Sequence, residues 1–291
     1  MNRLELLDGQ LTEERKRWLV GLVTHETVID PIDIMPVRMR YLEILSESIL
    51  NDDGSLIEET LFADGYYFSE LDHDPELGDV VIFGLAVASR AGGPRCMLTL
   101  GSFYYLGTFG IPQNYHEAAS LYASAMELGE PQAAVNLGYC YEFGRTGVTN
   151  YEKAFHCYLR AALLANNPEG IYKVGDFYHR GRFVTRDDAM AMMLYRRSYE
   201  LAEKEQNSGV CAQASFRIAE MMQNVPLPSD EALLSMLDMY MEAEVGMRRE
   251  VAAGAEYYRS RMELCVKRQQ EIRETIEARS RDGVSFSIYD K

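Results

Sequence analysis

A chain of 291 residues with 47% hydrophobic and 25% charged residues has apolar material for two ordinary domains or one elongated array. Its formal charge of −16 argues against nucleic acid and against an anionic membrane surface, because both are bound by neutralising phosphate with Lys and Arg; a basic or amphipathic partner fits better. Five scattered cysteines (Cys96, Cys140, Cys157, Cys211, Cys265) without a C-x-x-C pair make neither a disulfide framework nor a metal motif. The first ten residues lack the apolar core of a signal peptide. The longest apolar run, 80–88, is far short of the roughly 20 residues that span a bilayer. A cytoplasmic protein is expected.

From the N-terminus, the pattern predicts a helix after Thr12, with Thr12 as N-cap and Glu13 and Glu14 in the first turn, and another from Pro36. The stretch 28–36 between them reads as an extended connector. Residues 1–55 form a helical cap in this reading. Residues 41–89 hold twelve Asp and Glu and no Lys or Arg. Such a block is ordinarily a solvated face, and alternatively an acidic end that attracts a basic partner. Helices are expected near 56–69, with Ala63 and Tyr67, and over 79–91, with Val81, Leu85 and Ala88.

Next comes an internal repeat. Pro94, Pro131 and Pro168 recur every 37 residues, and the same interval relates Leu100, Leu137 and Val174; Gly101, Gly138 and Gly175; Tyr104, Tyr141 and Tyr178; and Gly107, Gly144 and Gly181. Each unit reads as two helices. The proline suits a first turn, where a missing N–H costs nothing, and the last glycine suits a left-handed C-terminal cap. A second helix carries Ala118, Ala154 and Ala191, then Tyr122, Tyr158 and Tyr195, then Ala125, Ala161 and Ser198, all on one face. The mid-helix glycines cost about 0.5–1 kcal/mol each relative to Ala, which points to close approach of the paired helix, with its alanines facing them. The tyrosines one turn on fill the space between units. The two helices at 56–91 read as an earlier, degenerate unit. A later one starts at Cys211, with Ile218, Ala219 and Met222, then Tyr240 and Ala243, after about seven inserted residues near 203–209. Four to five units over 56–246 are expected.

The last segment, 247–291, predicts one long helix to about 281, then a loosely ordered tail. Val251, Ala255, Tyr258, Met262, Cys265, Gln269, Ile272 and Ile276 alternate spacings of four and three, a narrow coiled-coil-like seam. It serves either as a lid over the last repeat or as a self-association helix.

The segment PQAAVNLGYCYEFGRTGVTNYEKAFHCYLRAA (131–162), with its Leu–Gly pair, spaced tyrosine, G-x-x-G-V loop and K-A-x-x-x-Y helix, resembles the Sel-one-like repeat, a relative of the tetratricopeptide repeat. Residues 94–130 match nearly as well, and 168–204 depart from the pattern in the loop GRFVTRD. The resemblance implies an all-α, right-handed α–α superhelix, a solenoid used as an adaptor surface. It also implies that first helices line a concave face. By helical phase that face takes Arg95, Leu98, Ser102 and Tyr105; Gln132, Val135, Tyr139, Glu142 and Phe143; Glu169, Tyr172, Asp176, His179 and Arg180; and Phe216 and Glu220. Aromatic anchors mixed with acids suit a peptide with apolar and basic side chains.

Catalytic and cofactor patterns fail by inspection. In NDDGSLIEET a calcium loop centred on Gly54 would put Ile49 and Thr60 where acidic ligands are required. In LDHDPE, His73 lies between Asp72 and Asp74, but sequence neighbours do not share a face. His156 and Cys157 fall in a repeat's second helix, where Cys157 reads as buried and inert. There is no P-loop, G-x-S-x-G or H-E-x-x-H. The expected function is a non-catalytic adaptor that binds a protein or peptide, with no cofactor and no metal. The alternatives are a regulatory, ligand-sensing accessory protein that uses the acidic region, and a hydrolase.

Overall fold

Every regular element among the described residues is a helix, and many begin where the sequence supplies a capping side chain or a first-turn proline. The computed structural model describes residues 3–25, 35–63, 74–226 and 228–281. Most of the connector 28–36, Tyr67, Asp72, His73 and the tail 283–291 lie outside them. The chain forms two compact units, 1–150 and 151–291. The boundary falls inside the second repeat, between its first and second helices.

The first unit contains α1 (Arg3–Leu6), α2 (Glu13–His25), α3 (Met35–Leu50), α4 (Gly54–Phe62), α5 (Pro75–Arg90), α6 (Pro94–Leu106), α7 (Tyr115–Glu127) and α8 (Pro131–Glu142). Thr12 accepts from the Arg15 amide at 3.3 Å, as an N-cap should. Asp53, Asp74 and Asn114 cap α4, α5 and α7 through their side chains. From α4 onward each helix packs on its neighbour in sequence. The exception in character is α5: residues 77–89 are buried except Asp79, because α1, α3, α4 and α6 surround it. The long apolar run is therefore a helix buried on all sides, as helices with no polar face are.

The second unit contains α9 (Tyr151–Ala165), α10 (Pro168–Arg180), α11 (Asp188–Lys204), α12 (Ser208–Met222), α13 (Asp230–Ala252) and α14 (Arg259–Arg281). Asn167, Asp187, Asn207 and Ser229 cap four of them. Each helix again packs on the next, and α10 also reaches α12. The seven inserted residues are mostly absorbed as helix: α11 has 17 residues where α7 has 13.

The expected single helix over 247–281 is corrected to two. It breaks after Ala252 at Gly254, whose φ of 99° leaves helical space, and restarts through a short 3-10 turn, Glu256–Tyr258. The chain thereby doubles back and α14 lies against α13. Tyr258, Cys265 and Ile272 of the seam are buried in a cluster with Tyr240, Ala243 and Met247 of α13. Gln269 donates to the Tyr240 carbonyl at 3.3 Å and to Glu244 at 2.8 Å. The seam is filled by the chain's own α13, so the lid reading describes it and no second copy is needed to cover it.

Candidate functional site

The repeat frame is set by four tyrosines, Tyr122, Tyr158, Tyr195 and Tyr240, each almost completely buried. Aromatic side chains bury about 150–250 Å² apiece, so these rings carry much of the packing. The mid-helix glycines exist for them. A Cβ on Gly101 would sit 2.8 Å from the Tyr122 ring, and one on Gly175 3.0 Å from the Tyr195 ring. Close approach was expected, but the group that needs the room is the tyrosine of the paired helix and not its alanines. The residue after the glycine then receives the phenol. Tyr122 donates to Ser102 at 3.2 Å, and Tyr195 donates to Asp176 at 2.7 Å.

In the second unit this position is charged and sealed. Asp176, 4% exposed, accepts from Tyr195 and from Arg217 Nε at 3.0 Å, and Arg180 lies 3.5 Å from its other oxygen. Arg217 also donates to Glu220 at 3.0 Å. Burial pushes the Asp176 carboxyl up, yet Arg217, Arg180, Lys173 and the Tyr195 hydroxyl outweigh it and hold it below its ordinary value of 3.8. Burial and the adjacent carboxylate push the Tyr195 phenol up, and Tyr172 beside it is pushed up to about 12, chiefly by burial. The network stays Asp⁻, Arg⁺ and neutral tyrosine across the physiological range.

In the first unit the first-helix ends make a different surface. Tyr105 and Tyr115 meet edge to face at 5.1 Å, and Tyr139 stacks on Phe143 at 5.8 Å. Between the pairs stands Arg145. Its guanidinium carbon is 5.2 Å from the Tyr115 ring, 5.8 Å from Tyr105 and 6.0 Å from Phe143, and its Nε donates to the Tyr105 hydroxyl at 3.2 Å. The loop that presents it is rigid by construction. Gly144 is left-handed (φ 61°), a Cβ there would meet the Thr149 amide at 2.9 Å, and the Arg145 amide donates to the Cys140 carbonyl. The motif recurs 37 residues on, where Arg182 lies 5.1 Å from the Tyr151 ring. A Gly–Arg pair at 144–145 and 181–182, with Tyr115 and Tyr151 opening the preceding second helices, was the available signal in the sequence.

The expected face therefore divides. Val135, Glu142, Tyr172, Asp176 and Phe216 are buried. Phe216 packs on Tyr240 at 6.3 Å, and Tyr172 on Tyr195 at 5.6 Å. Leu98, Ser102, Tyr105, Gln132, Tyr139, Glu169, His179 and Glu220 are half-buried, while Arg95, Arg180 and Phe143 are exposed, Phe143 by 53%. Arg95 lies 4.1 Å over the Phe62 ring, Gln132 donates to Asn136, and His179 contacts Asp188 at 2.9 Å. Within the first unit the structure brings Tyr105, Tyr139 and Phe143 into one patch; within the second it draws Tyr172, Asp176, Arg180 and Glu220 into one network. Sequence reasoning missed Arg145, Tyr115, Arg217 and Tyr195, which join each group together.

Elsewhere four acids of the acidic block are employed in structure. Asp53 and Asp74 are helix caps, Asp79 pairs with Arg3 at 2.6 Å, and Glu58 accepts from the Cys96 amide at 3.1 Å, standing in for Gly93, which caps α6 without a side chain. All five cysteines are buried. Burial pushes the thiols of Cys96, Cys211, Cys140 and Cys265 up, Cys140 to about 11 and Cys265 to about 12, far from thiolate reactivity. Among the described residues no three His, Cys, Asp or Glu are arranged to hold a metal ion, and no helix is long and apolar enough to cross a membrane.

Comparison with curated proteins returns no match. Among solved structures the chain is similar to a Sel1 repeat protein from Oxalobacter formigenes, at 21% identity and a TM-score of 0.54 over 73% of this chain and 83% of that one. It is also similar to a protective antigen of uropathogenic Escherichia coli with an SLR fold, at 23% identity and a TM-score of 0.49, over 76% of this chain and 50% of that one. The first likeness shows a shared fold, the all-α repeat solenoid class. Sel1 repeats generally mediate protein–protein interaction. The Sel1 repeat family matches at residues 94–130, 131–166 and 168–202, so the two helices and buried tyrosine of each successive unit there make three consecutive Sel1 repeats.

Proposed function

We propose that the protein is a non-catalytic interaction module whose partner, a protein or peptide, docks on the exposed first-helix ends and the Arg145 loop of the first unit. The observation that carries this reading is the patch of Tyr105, Tyr115, Tyr139 and Phe143, with Phe143 53% exposed while the repeat tyrosines nearby are buried. Aromatic side chains anchor interfaces because they bury large area at low entropic cost. The buried Asp176 is paired with Arg217 in the second unit, and the five cysteines are buried. Five buried cysteines, none joined to another by a disulfide, suit a reducing, cytoplasmic compartment.

The acids that suggested a basic partner do not form an open acidic face. Glu142 and Asp176 are buried, and Glu220 is paired with Arg217. The reading is tested by proximity cross-linking and capture with wild type and a Tyr139→Ala/Phe143→Ala variant. Loss of the same partners from the variant, with an unchanged melting profile, supports it; equal recovery from both refutes it.

A further inference from the structure

Arg145 differs in its surroundings from many of the arginines in this chain. Arg3, Arg180, Arg186, Arg217, Arg259, Arg268 and Arg279 each lie within 4 Å of a carboxylate. In a protein with 45 acidic and 29 basic residues this is the expected fate of a guanidinium. Arg145 has no carboxylate at that distance among the described residues. Its Nε is bonded to the Tyr105 hydroxyl and its plane is bordered by the rings of Tyr115, Tyr105 and Phe143. A guanidinium has five N–H donors. Only the Nε–H is engaged by a described residue, which leaves the Nη1/Nη2 end, a planar fork whose geometry matches a carboxylate. The side chain is exposed, its loop turns at Gly144 and its Nε bond to Tyr105 restrains it, so presenting the fork costs less ordering than for an untethered arginine. Phe143, whose ring borders it, is 53% exposed.

Resting on the interaction-surface reading, we propose that the Arg145 fork takes the side-chain carboxylate of an Asp or Glu in an extended partner segment, while Tyr139 and Phe143 take an adjacent aromatic or aliphatic side chain. The occupant is thus an acidic–apolar peptide segment, opposite in charge to the one the chain's net −16 suggests. A single carboxylate is favoured over phosphate or a polyanion because the surrounding field of an acidic chain opposes multiple negative charge. The recurring stack of Arg182 on Tyr151 shows that the arginine-on-tyrosine contact belongs to the repeat frame. What distinguishes Arg145 is its carboxylate-free fork next to an exposed ring.

The experiment titrates the full chain with a blocked peptide, acetyl-Ser-Leu-Glu-Phe-Ser-amide, and follows the Arg145 Nε–Hε resonance and the Phe143 ring by NMR. A Leu-Gln-Phe counterpart and an unblocked Leu-Gln-Phe acid are the other arms. The expected result is saturable movement of both resonances with the Glu peptide, and apparent affinity weaker by about tenfold for the Gln peptide or in Arg145→Gln, with partial retention in Arg145→Lys. Equal binding of the Gln peptide, or no loss in Arg145→Gln, overturns the proposal while leaving an apolar docking surface intact. Stronger binding of the unblocked acid overturns the assignment to a side-chain carboxylate. No movement with any peptide overturns the proposal outright, and the capture experiment then decides separately whether the surface binds a partner at all.

Discussion

The first and third repeats place the same side chains in the same frame and finish them differently. In the first, the Tyr122 phenol meets a neutral hydroxyl, Ser102; in the third, the Tyr195 phenol meets a carboxylate, Asp176, which then requires Arg217 from α12. The apolar frame tolerates either ending because the glycine, not its successor, makes the room for the ring. The charged ending ties its repeat to the next through an ion pair, and in this chain it does so across the insertion that lengthens α11. Pairing of this kind fixes register more surely than it adds stability, since desolvation offsets much of the attraction.

The comparison breaks most visibly at Arg217. Arg217→Met leaves the buried Asp176 with only Arg180, Lys173 and the Tyr195 hydroxyl to offset its charge and is expected to destabilise the second unit by about 3 kcal/mol, the lower end for breaking a buried pair, read as a lower denaturation midpoint, while Asp176→Asn/Arg217→Met recovers most of the loss. A double variant as unstable as the single one would show that the pair does more than satisfy itself. The same pair carries a pH signature. Because the folded Asp176 pKa lies below its ordinary 3.8, its contribution is present above that value and is lost as pH falls through the folded pKa. Acid unfolding monitored by circular dichroism should be shallower in the double variant than in wild type; identical acid limbs would remove Asp176 from the account.

Glycine substitutions test what the two repeats share. Gly101→Ala and Gly175→Ala each press a methyl on a tyrosine ring, at 2.8 and 3.0 Å. Overpacking of about 1–3 kcal/mol, less the helix-propensity gain of about 0.5–1 kcal/mol, leaves net losses of about 0.5–2 kcal/mol, with Gly101→Ala the worse. A gain in melting temperature from either would mean that the rings have room to spare. The smallest effect belongs to the neutral ending: Ser102→Ala removes one long hydrogen bond and should cost about 0.5–1.5 kcal/mol. A loss near that of Arg217→Met would erase the contrast between the repeats.

Much of this architecture is legible without coordinates. The prolines at helix starts, the left-handed Gly107 and Gly181 and the buried Tyr122, Tyr158 and Tyr195 stand where the 37-residue spacing puts them, and Tyr240 extends the row past the insertion. The candidate surface was half legible. Tyr105, Tyr139 and Phe143 follow from helical phase, but phase also nominated Val135, Tyr172, Asp176 and Phe216, which are covered by neighbouring side chains. Phase says which way a side chain leaves its own helix and says nothing of what stands opposite. The long C-terminal seam failed in a related way. Its spacing of four and three is the same whether the partner is another chain or α13 folded back at Gly254.

Local chemistry in the sequence was thus enough to place helix starts at Pro94, Pro131 and Pro168 and left-handed ends at Gly107 and Gly181, because each depends on residues within a few positions of one another. Tertiary structure alone decided which aromatic residues stay exposed, that Asp176 is sealed by Arg217, and that Arg145 rests on rings with its fork turned to no carboxylate. These outcomes depend on side chains 19 to 41 positions apart in the chain. At such separations the residue pattern lists what each helix offers, and only packing chooses which offers meet.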